Sequence, residues 1–488
     1  MIPPIPTIDW GMLWPVMTVM ITGLVVLTIE MFRPRQNNNA IVGVSLVGLL
    51  VAGYQLVMQV GLPEGKTFAD LFLRDHLGTM LQLLMVGACG ICFLFSEPYL
   101  RERRAPFAEF YPLALWSTAG GMLIVSTDSL IMLFIGVEVL SIALYCLAGL
   151  AREDQRSEES ALKYFLLGSL ASAFMLYGMA FLYGTTGEMT LHALEAVPVA
   201  DSMQMIGLGF MLVGIGFKAS LFPFHVWTPD VYQGAPSNVS AFMASVSKIA
   251  AFGALARLLS AADPIQEFWF PMLFWTAVLT MTIGNLGALR QRDVKRTLGF
   301  SSIAHAGYLL VALLAHLEMP IGVPLDALLF YLAVYSVATI GAFAVVALAA
   351  KDGREDTRDF ALHGLWKRNP FAAGTLALFM ISLIGMPFTG GFIGKLMIFQ
   401  GALQAQLQPL AIVLAANSAL SVFYYLGIIR TTLVEPEEPT GGRFGQPSLG
   451  VNVACAVCAL LVLGAFFAGG PAIDAVKQPV TPSPMASR

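Results

Sequence analysis

Apolar runs of about twenty residues follow one another along nearly the whole chain, and this pattern limits the fold more than any other feature. Some 20 residues of helix cross about 30 Å of hydrocarbon. Within that layer, backbone polar groups must be satisfied by the protein itself. The runs lie near 10–32, 41–62, 76–97, 109–126, 128–150, 160–184, 203–227, 236–260, 267–289, 296–316, 324–350, 370–400, 408–430 and 449–470. They predict an all-α polytopic membrane protein of about 14 transmembrane helices. Composition agrees: the chain is 57% hydrophobic and 12% charged, against about 25% charged in a soluble domain.

Several other classes can be set aside. MIPPIPTIDW lacks the basic region of a cleavable signal, and KQPVTPSPMASR reads as a short disordered tail. The spans enclose no long hydrophilic insertion, so no soluble catalytic domain is expected, nor any nucleic-acid partner. Cys89-x-x-Cys92 and Cys455-x-x-Cys458 imitate a four-thiolate metal site. Both pairs sit inside apolar runs, where small buried side chains are the simpler reading. GGFIGKL resembles a phosphate loop, but Thr389 replaces the first glycine and no Ser/Thr follows Lys395. No metal or cofactor site is therefore expected.

Orientation follows from the loop charges. Loops after odd-numbered spans hold 18 Lys and Arg residues, against Lys66, Arg74 and Arg257 on the other side. By the positive-inside rule, the odd-numbered loops are cytoplasmic and both termini lie outside.

Four lysines remain inside the apolar runs: Lys163, Lys218, Lys248 and Lys395. Glu138 and His305 join them. A charge at the bilayer centre costs at least about 2.5–3.5 kcal/mol, so such groups face a bundle interior or water. Glu138, Lys218, Lys248 and Lys395 are too central to reach an interface easily. Lys163 is close enough to a span end to snorkel, His305 can be a neutral packed residue, and His225 has a structural alternative beside Pro223. Lysine suits a proton relay. Its ammonium gives up a proton when desolvated and keeps it beside a carboxylate.

Two spans also carry helix breakers. Lys218 precedes Pro223 in span 7, and Pro387-Phe388-Thr389-Gly390-Gly391 precedes Lys395 in span 12. Broken helices at corresponding places in two halves point to inverted repeats around a mid-membrane ion path. Spans 4–8 and 9–13 would be the two five-helix repeats. The chain then divides into 1–105, 106–262, 263–432 and 433–488.

The stretches DSLIMLFIGVEVLSIALYCLAG, EESALKYFLLGSLASAFMLYG, GFKASLFPFHVWTPDVYQGAPSNVSAFMASVSK, DVKRTLGFSSIAHAGYLLVAL and GMPFTGGFIGKLMIF resemble the antiporter-like membrane subunits of respiratory complex I. VYQGAP and LKYFLLGSLASAF are most similar to the subunit N type. The resemblance implies a proton-translocating subunit of an NADH:quinone oxidoreductase in a bacterial inner membrane. Glu138 and Lys218 would be its first-half acid–lysine pair, with Lys163 adjacent. Lys248 and His305 would continue the polar axis to Lys395. Flavin, iron–sulfur clusters and the quinone site would belong to partner subunits, and homologous antiporter-like subunits would be neighbours. A subunit of a multi-subunit sodium/proton antiporter is the alternative, and a passive scaffold is a third reading.

Overall fold

The computed structural model describes residues 8–32, 39–102, 108–194, 202–319, 326–351, 354–434 and 448–467. The tail, Arg33, Arg35, Arg103, Arg104 and Arg443 lie outside the described residues. The helices are α1 (Trp10–Phe32), α2 (Asn39–Gln59), α3 (His76–Glu102), α4 (Phe110–Val125), α5 (Leu130–Ala148), α6 (Gln155–Thr186), α7 (Ser202–Ala219), α8 (Trp227–Gly234), α9 (Ser237–Phe242) and α10 (Lys248–Ala261). They continue with α11 (Gln266–Leu289), α12 (Val294–Glu318), α13 (Asp326–Val346), α14 (Leu365–Arg368), α15 (Pro370–Ile384), α16 (Gly390–Gln404), α17 (Gln408–Leu433) and α18 (Leu449–Phe467). Two short hairpins, β1–β2 (Gly65–Thr67, Phe72–Arg74) and β3–β4 (Ala350–Lys351, Arg354–Glu355), complete the described elements.

Each of the apolar runs is helical, and the all-α class holds. Among the described residues, twelve helices are long and apolar enough to cross a membrane, while Phe110–Val125 and Pro370–Ile384 are shorter apolar helices. The starts are chemically marked. Ser129, Asp154, Asp293 and Asn369 each accept a backbone N–H in the following first turn. α6 begins earlier than its hydropathy suggests, because Asp154 caps it and the polar EES turn remains helical. Lys163 thus lies two turns inside the helix rather than in its first.

The core is central and helical. The stretch Ser237–Ala261, α12 and α13 are almost wholly buried, whereas α1, α2, α6, α17 and α18 show much of their surface. Apolar helix surface can face lipid, whereas an ionisable group inside the membrane faces the bundle interior, and these three central stretches carry Lys248 and His305 or pack beside them.

Span 7 is broken between α7 and α8. Ser220 takes a left-handed φ of 62°, and the freed backbone groups find side-chain partners. The Trp227 indole donates to the Phe217 carbonyl at 2.9 Å, and Phe222 N–H donates to Thr280 Oγ1 at 3.0 Å. Span 12 is broken between α15 and α16. Gly385 has a φ of 85°, where a side chain would be strained and would also meet the Lys395 stem at 2.8 Å. A Cβ on Gly391 would sit 1.8 Å from the Ser382 carbonyl oxygen, so only glycine lets α16 approach α15 this closely. Between α9 and α10 the chain makes a π-turn, Met243–Ser247, immediately before Lys248. Such turns are frequent at functional sites, and apolar periodicity gives no sign of them.

Candidate functional site

Three lysines and a histidine are buried on the central and broken helices: Lys218, Lys248, Lys395 and His305. Each meets aromatic rings or a backbone carbonyl rather than a carboxylate. Lys218, at the end of α7, lies over the Tyr145 and Tyr164 rings, 5.0 and 4.8 Å from their centroids, and donates to Tyr164 Oη at 3.4 Å. Such cation–π contacts recover part of what an ammonium loses on leaving water. Glu138 acts on Lys218 electrostatically from α5 without a direct ion pair, and its buried Oε1 has no hydrogen-bond partner. A cavity of about 10 Å³ beside Lys218 and Ser247 has room for about one water-sized sphere.

Lys248 donates to the Ser302 carbonyl at 2.5 Å and faces the Tyr335 ring. One turn further along α12, His305 sits between two tyrosines. Its Nε2 is 3.0 Å from Tyr425 Oη and its Nδ1 is 2.8 Å from Tyr331 Oη. An imidazole bridging two hydroxyls can take a proton on one nitrogen and release one from the other. Lys395 donates to the Ile384 carbonyl at 2.9 Å, so it caps the broken end of α15, and it lies over the Tyr308 ring at 4.8 Å. This explains how Lys395 coexists with the break in span 12. The break supplies a free carbonyl, and the ammonium satisfies it.

Lys163 is drawn elsewhere. Its ammonium pairs with Glu159 at 2.6 Å and Asp230 at 2.7 Å, and Arg296 reaches the other oxygen of Asp230 at 2.5 Å. Burial alone would push the Asp230 carboxyl up, but hydrogen bonds from Lys163 and Arg296 outweigh it and hold it below the usual carboxylate range. These residues border a pocket of about 250 Å³ at the end of the bundle that bears the loop arginines. His225 lies in the break of span 7 against the Phe222 ring, with its buried Nδ1 unpartnered.

Several features escape a reading by charge. Tyr145, Tyr164, Tyr308, Tyr331, Tyr335 and Tyr425 line the lysines and His305; the sequence signals only Tyr308, three residues after His305, and the pair Tyr331 and Tyr335, four apart. Lys295 reads from sequence as a loop cation, yet it is fully buried at the start of α12. It pairs with Glu355 at 2.9 Å and donates to the Ala235 carbonyl. Arg257 likewise belongs to a network, gripping Asp75 at 2.7 Å and the Val125 carbonyl at the end of α4. Cys89, Cys92, Cys455 and Cys458 are free and buried. Among the described residues, no three His, Cys, Asp or Glu side chains converge as metal ligands.

A helical membrane bundle with two interrupted helices and buried lysines beside them defines an ion-translocating, antiporter-like subunit. The NADH:quinone oxidoreductase/Mrp antiporter membrane family model matches residues 127–421. NADH-quinone oxidoreductase subunit N of Trichlorobacter lovleyi is 38% identical over 465 residues, covering 94% of this chain and 93% of that one. A chain of respiratory complex I from Thermus thermophilus superposes with a TM-score of 0.82 at 34% identity, covering 95% and 99% of the two chains. A chain of the Mrp complex from Dietzia shares the fold, with a TM-score of 0.78 at 20% identity over 96% and 95%. The chain belongs to the NADH-quinone oxidoreductase subunit N family.

Proposed function

We propose that this chain is the proton-translocating, non-redox membrane subunit of a bacterial NADH:quinone oxidoreductase. Its relay comprises Glu138, Lys218, Lys248, His305 and Lys395. The carrying observation is the placement of Lys218 and Lys395 at the two helix breaks, with Lys248 and His305 buried in the core helices. Quinone reduction in partner subunits would change the charge felt by Glu138, shift the proton on Lys218, and pass that change along the row. Lys163 sets the charge of the Asp230–Arg296 network beside α8, and His225 is a further candidate in the span 7 break. The corresponding breaks support inverted repeats at 106–262 and 263–432 within a fourteen-span chain. The loop charges support cytoplasmic odd-numbered loops and outward termini in the inner membrane.

The subunit carries no cofactor in this reading. Replacing Cys89, Cys92, Cys455 and Cys458 by alanine is expected to leave turnover and the paramagnetic spectrum of the enzyme unchanged. Loss of a signal would assign them a cluster. The sodium/proton antiporter alternative shares the fold, but the 34–38% identities lie with complex I chains. Affinity purification of the tagged chain separates the two. Flavin- and iron–sulfur-containing partners support the proposal, and a cofactor-free antiporter assembly overturns it. Thiol labelling at Arg354→Cys and Lys477→Cys should report opposite sides of the membrane; labelling from one side would reject the orientation.

A further inference from the structure

The two halves hold their break lysines differently. Lys218 feels the charge of Glu138 from the middle of α5. Lys395 has no such counterpart, since every described Asp and Glu of residues 263–432 lies in a loop, a hairpin or a terminal turn of its helix. Besides the Ile384 carbonyl, its ammonium meets the face of Tyr308, 4.8 Å from the ring centroid. Tyr308 is fully buried on α12, and its hydroxyl accepts from Asn285 Nδ2 of α11 at 3.2 Å.

Asn285 is held in turn. Its Nδ2 donates to the Met281 carbonyl at 2.8 Å and to Asn417 Oδ1 of α17 at 3.1 Å, and its Oδ1 accepts from the Tyr424 hydroxyl at 3.0 Å. The Asn417 amide donates to the Val413 carbonyl at 3.0 Å. Because a carbonyl only accepts, the Met281 contact identifies the nitrogen end of the Asn285 amide. That nitrogen has two hydrogens for three acceptors, so Tyr308 and Asn417 share what the Met281 carbonyl leaves. Packing α11 against α17 does not call for amides, because an apolar pair of the same shape is about as stable. Asn285 and Asn417 are nevertheless buried there, at 0% and 4% exposure.

We propose that Asn285, held by Asn417, is a positioning residue for proton transfer at Lys395: it fixes the hydroxyl end of Tyr308 and so keeps that ring under the ammonium. This rests on the relay proposed above. A ring face attracts lysine as a cation and not as a neutral amine, so it bears on one protonation state of the relay only. The attraction depends on where the ring sits, and the bond from Asn285 sets the outer end of the ring axis. In the first half a charge, Glu138, biases the lysine. In the second half a neutral amide does so through an aromatic ring.

The test uses the assembled complex in inside-out membrane vesicles, with complex content read on native gels. Asn285→Leu keeps the branching of the side chain and removes the donor to Tyr308. It is expected to slow proton transfer through this subunit by about two- to tenfold, the worth of one hydrogen bond, and to lower protons pumped per electron. Tyr308→Phe keeps the ring and breaks the same bond from the other side, so it should lose a similar amount. The double variant should be no worse than either single one, because both act through one contact. Asn285→Gln, which still carries a donor, should recover part of the loss, and the KM for quinone should be unchanged throughout. A role in packing alone would make the two losses add. Additive losses, or normal pumping per electron in assembled Asn285→Leu enzyme, would overturn the proposal. Should Asn285→Leu fail to assemble, normal pumping by Tyr308→Phe overturns it equally. Lys395→Met keeps the two ideas apart. Full pumping by that enzyme removes the second half of the relay itself, whereas impaired Lys395→Met with normal Asn285→Leu removes only the positioning role.

Discussion

Lys218→Met complex is expected to assemble in normal amount and to fail at proton pumping. Methionine has nearly the length of lysine without its charge, and it fits between the Tyr145 and Tyr164 rings where the ammonium now sits. The fold loses a cation–π contact of about 0.5–2 kcal/mol and is relieved of the cost of burying an ammonium. The chemistry loses its proton carrier, which should slow transfer through this subunit by about a hundredfold or more. Lys218→Arg should fare almost as badly, because guanidinium keeps its proton at neutral pH. Glu138→Gln should impair pumping by removing the charge that Lys218 senses, while Glu138→Asp keeps the charge one methylene short and should retain part of the function. Proton uptake by vesicles, set against quinone reduction and complex content, decides the matter. Full pumping by assembled Lys218→Met enzyme would leave this lysine without a role in transport.

The second large effect is expected on stability rather than transport. Lys295→Met removes the fully buried member of an ion pair, taking one ammonium from Glu355 and the donor from the Ala235 carbonyl at the end of α8. Breaking such a pair from one side costs about 3–5 kcal/mol, a large part of the stability of an ordinary domain. Less subunit should enter the complex, and the purified complex should inactivate at lower temperature. Adding Glu355→Gln to Lys295→Met should recover part of the loss, because the charge that Lys295 faces is then gone. Thermal inactivation of the single and double variants measures this. Equal losses in both would mean that the Ala235 contact, not the ion pair, carries the stability. Lys295 and Arg296 together hold both ends of α8, the helix that follows the Lys218 break, since Arg296 binds Asp230. Loosening α8 should therefore also disturb the setting of Lys163.

Much of this was legible in the chain itself. The apolar runs and the breakers in spans 7 and 12 express local preferences, and the structure follows them. The ionisable row was equally legible, because a lysine amid twenty apolar residues must be covered wherever its helix packs. The partners were not. Glu138 and Lys218 look from sequence like a contact pair, yet Tyr145 and Tyr164 occupy the space against the ammonium. Lys163 looks like a member of the row or a snorkelling cation, but α8 brings Asp230 to it. Lys295 looks like a loop residue, but hairpin β3–β4 folds Glu355 over it.

What the sequence by itself determined is the class, the number of apolar runs, and which side chains pay to be inside. Hydropathy and the cost of a buried charge belong to each residue and its near neighbours along the chain. Only the tertiary structure decided which hydroxyl, carbonyl or carboxylate each buried cation meets. Several of those partners are far away along the chain, 54 residues for Lys218 and Tyr164 and 182 for Arg257 and Asp75. Their approach depends on which faces pack together and on how far glycines such as Gly391 let backbones close. None of these is a property of a single run of residues.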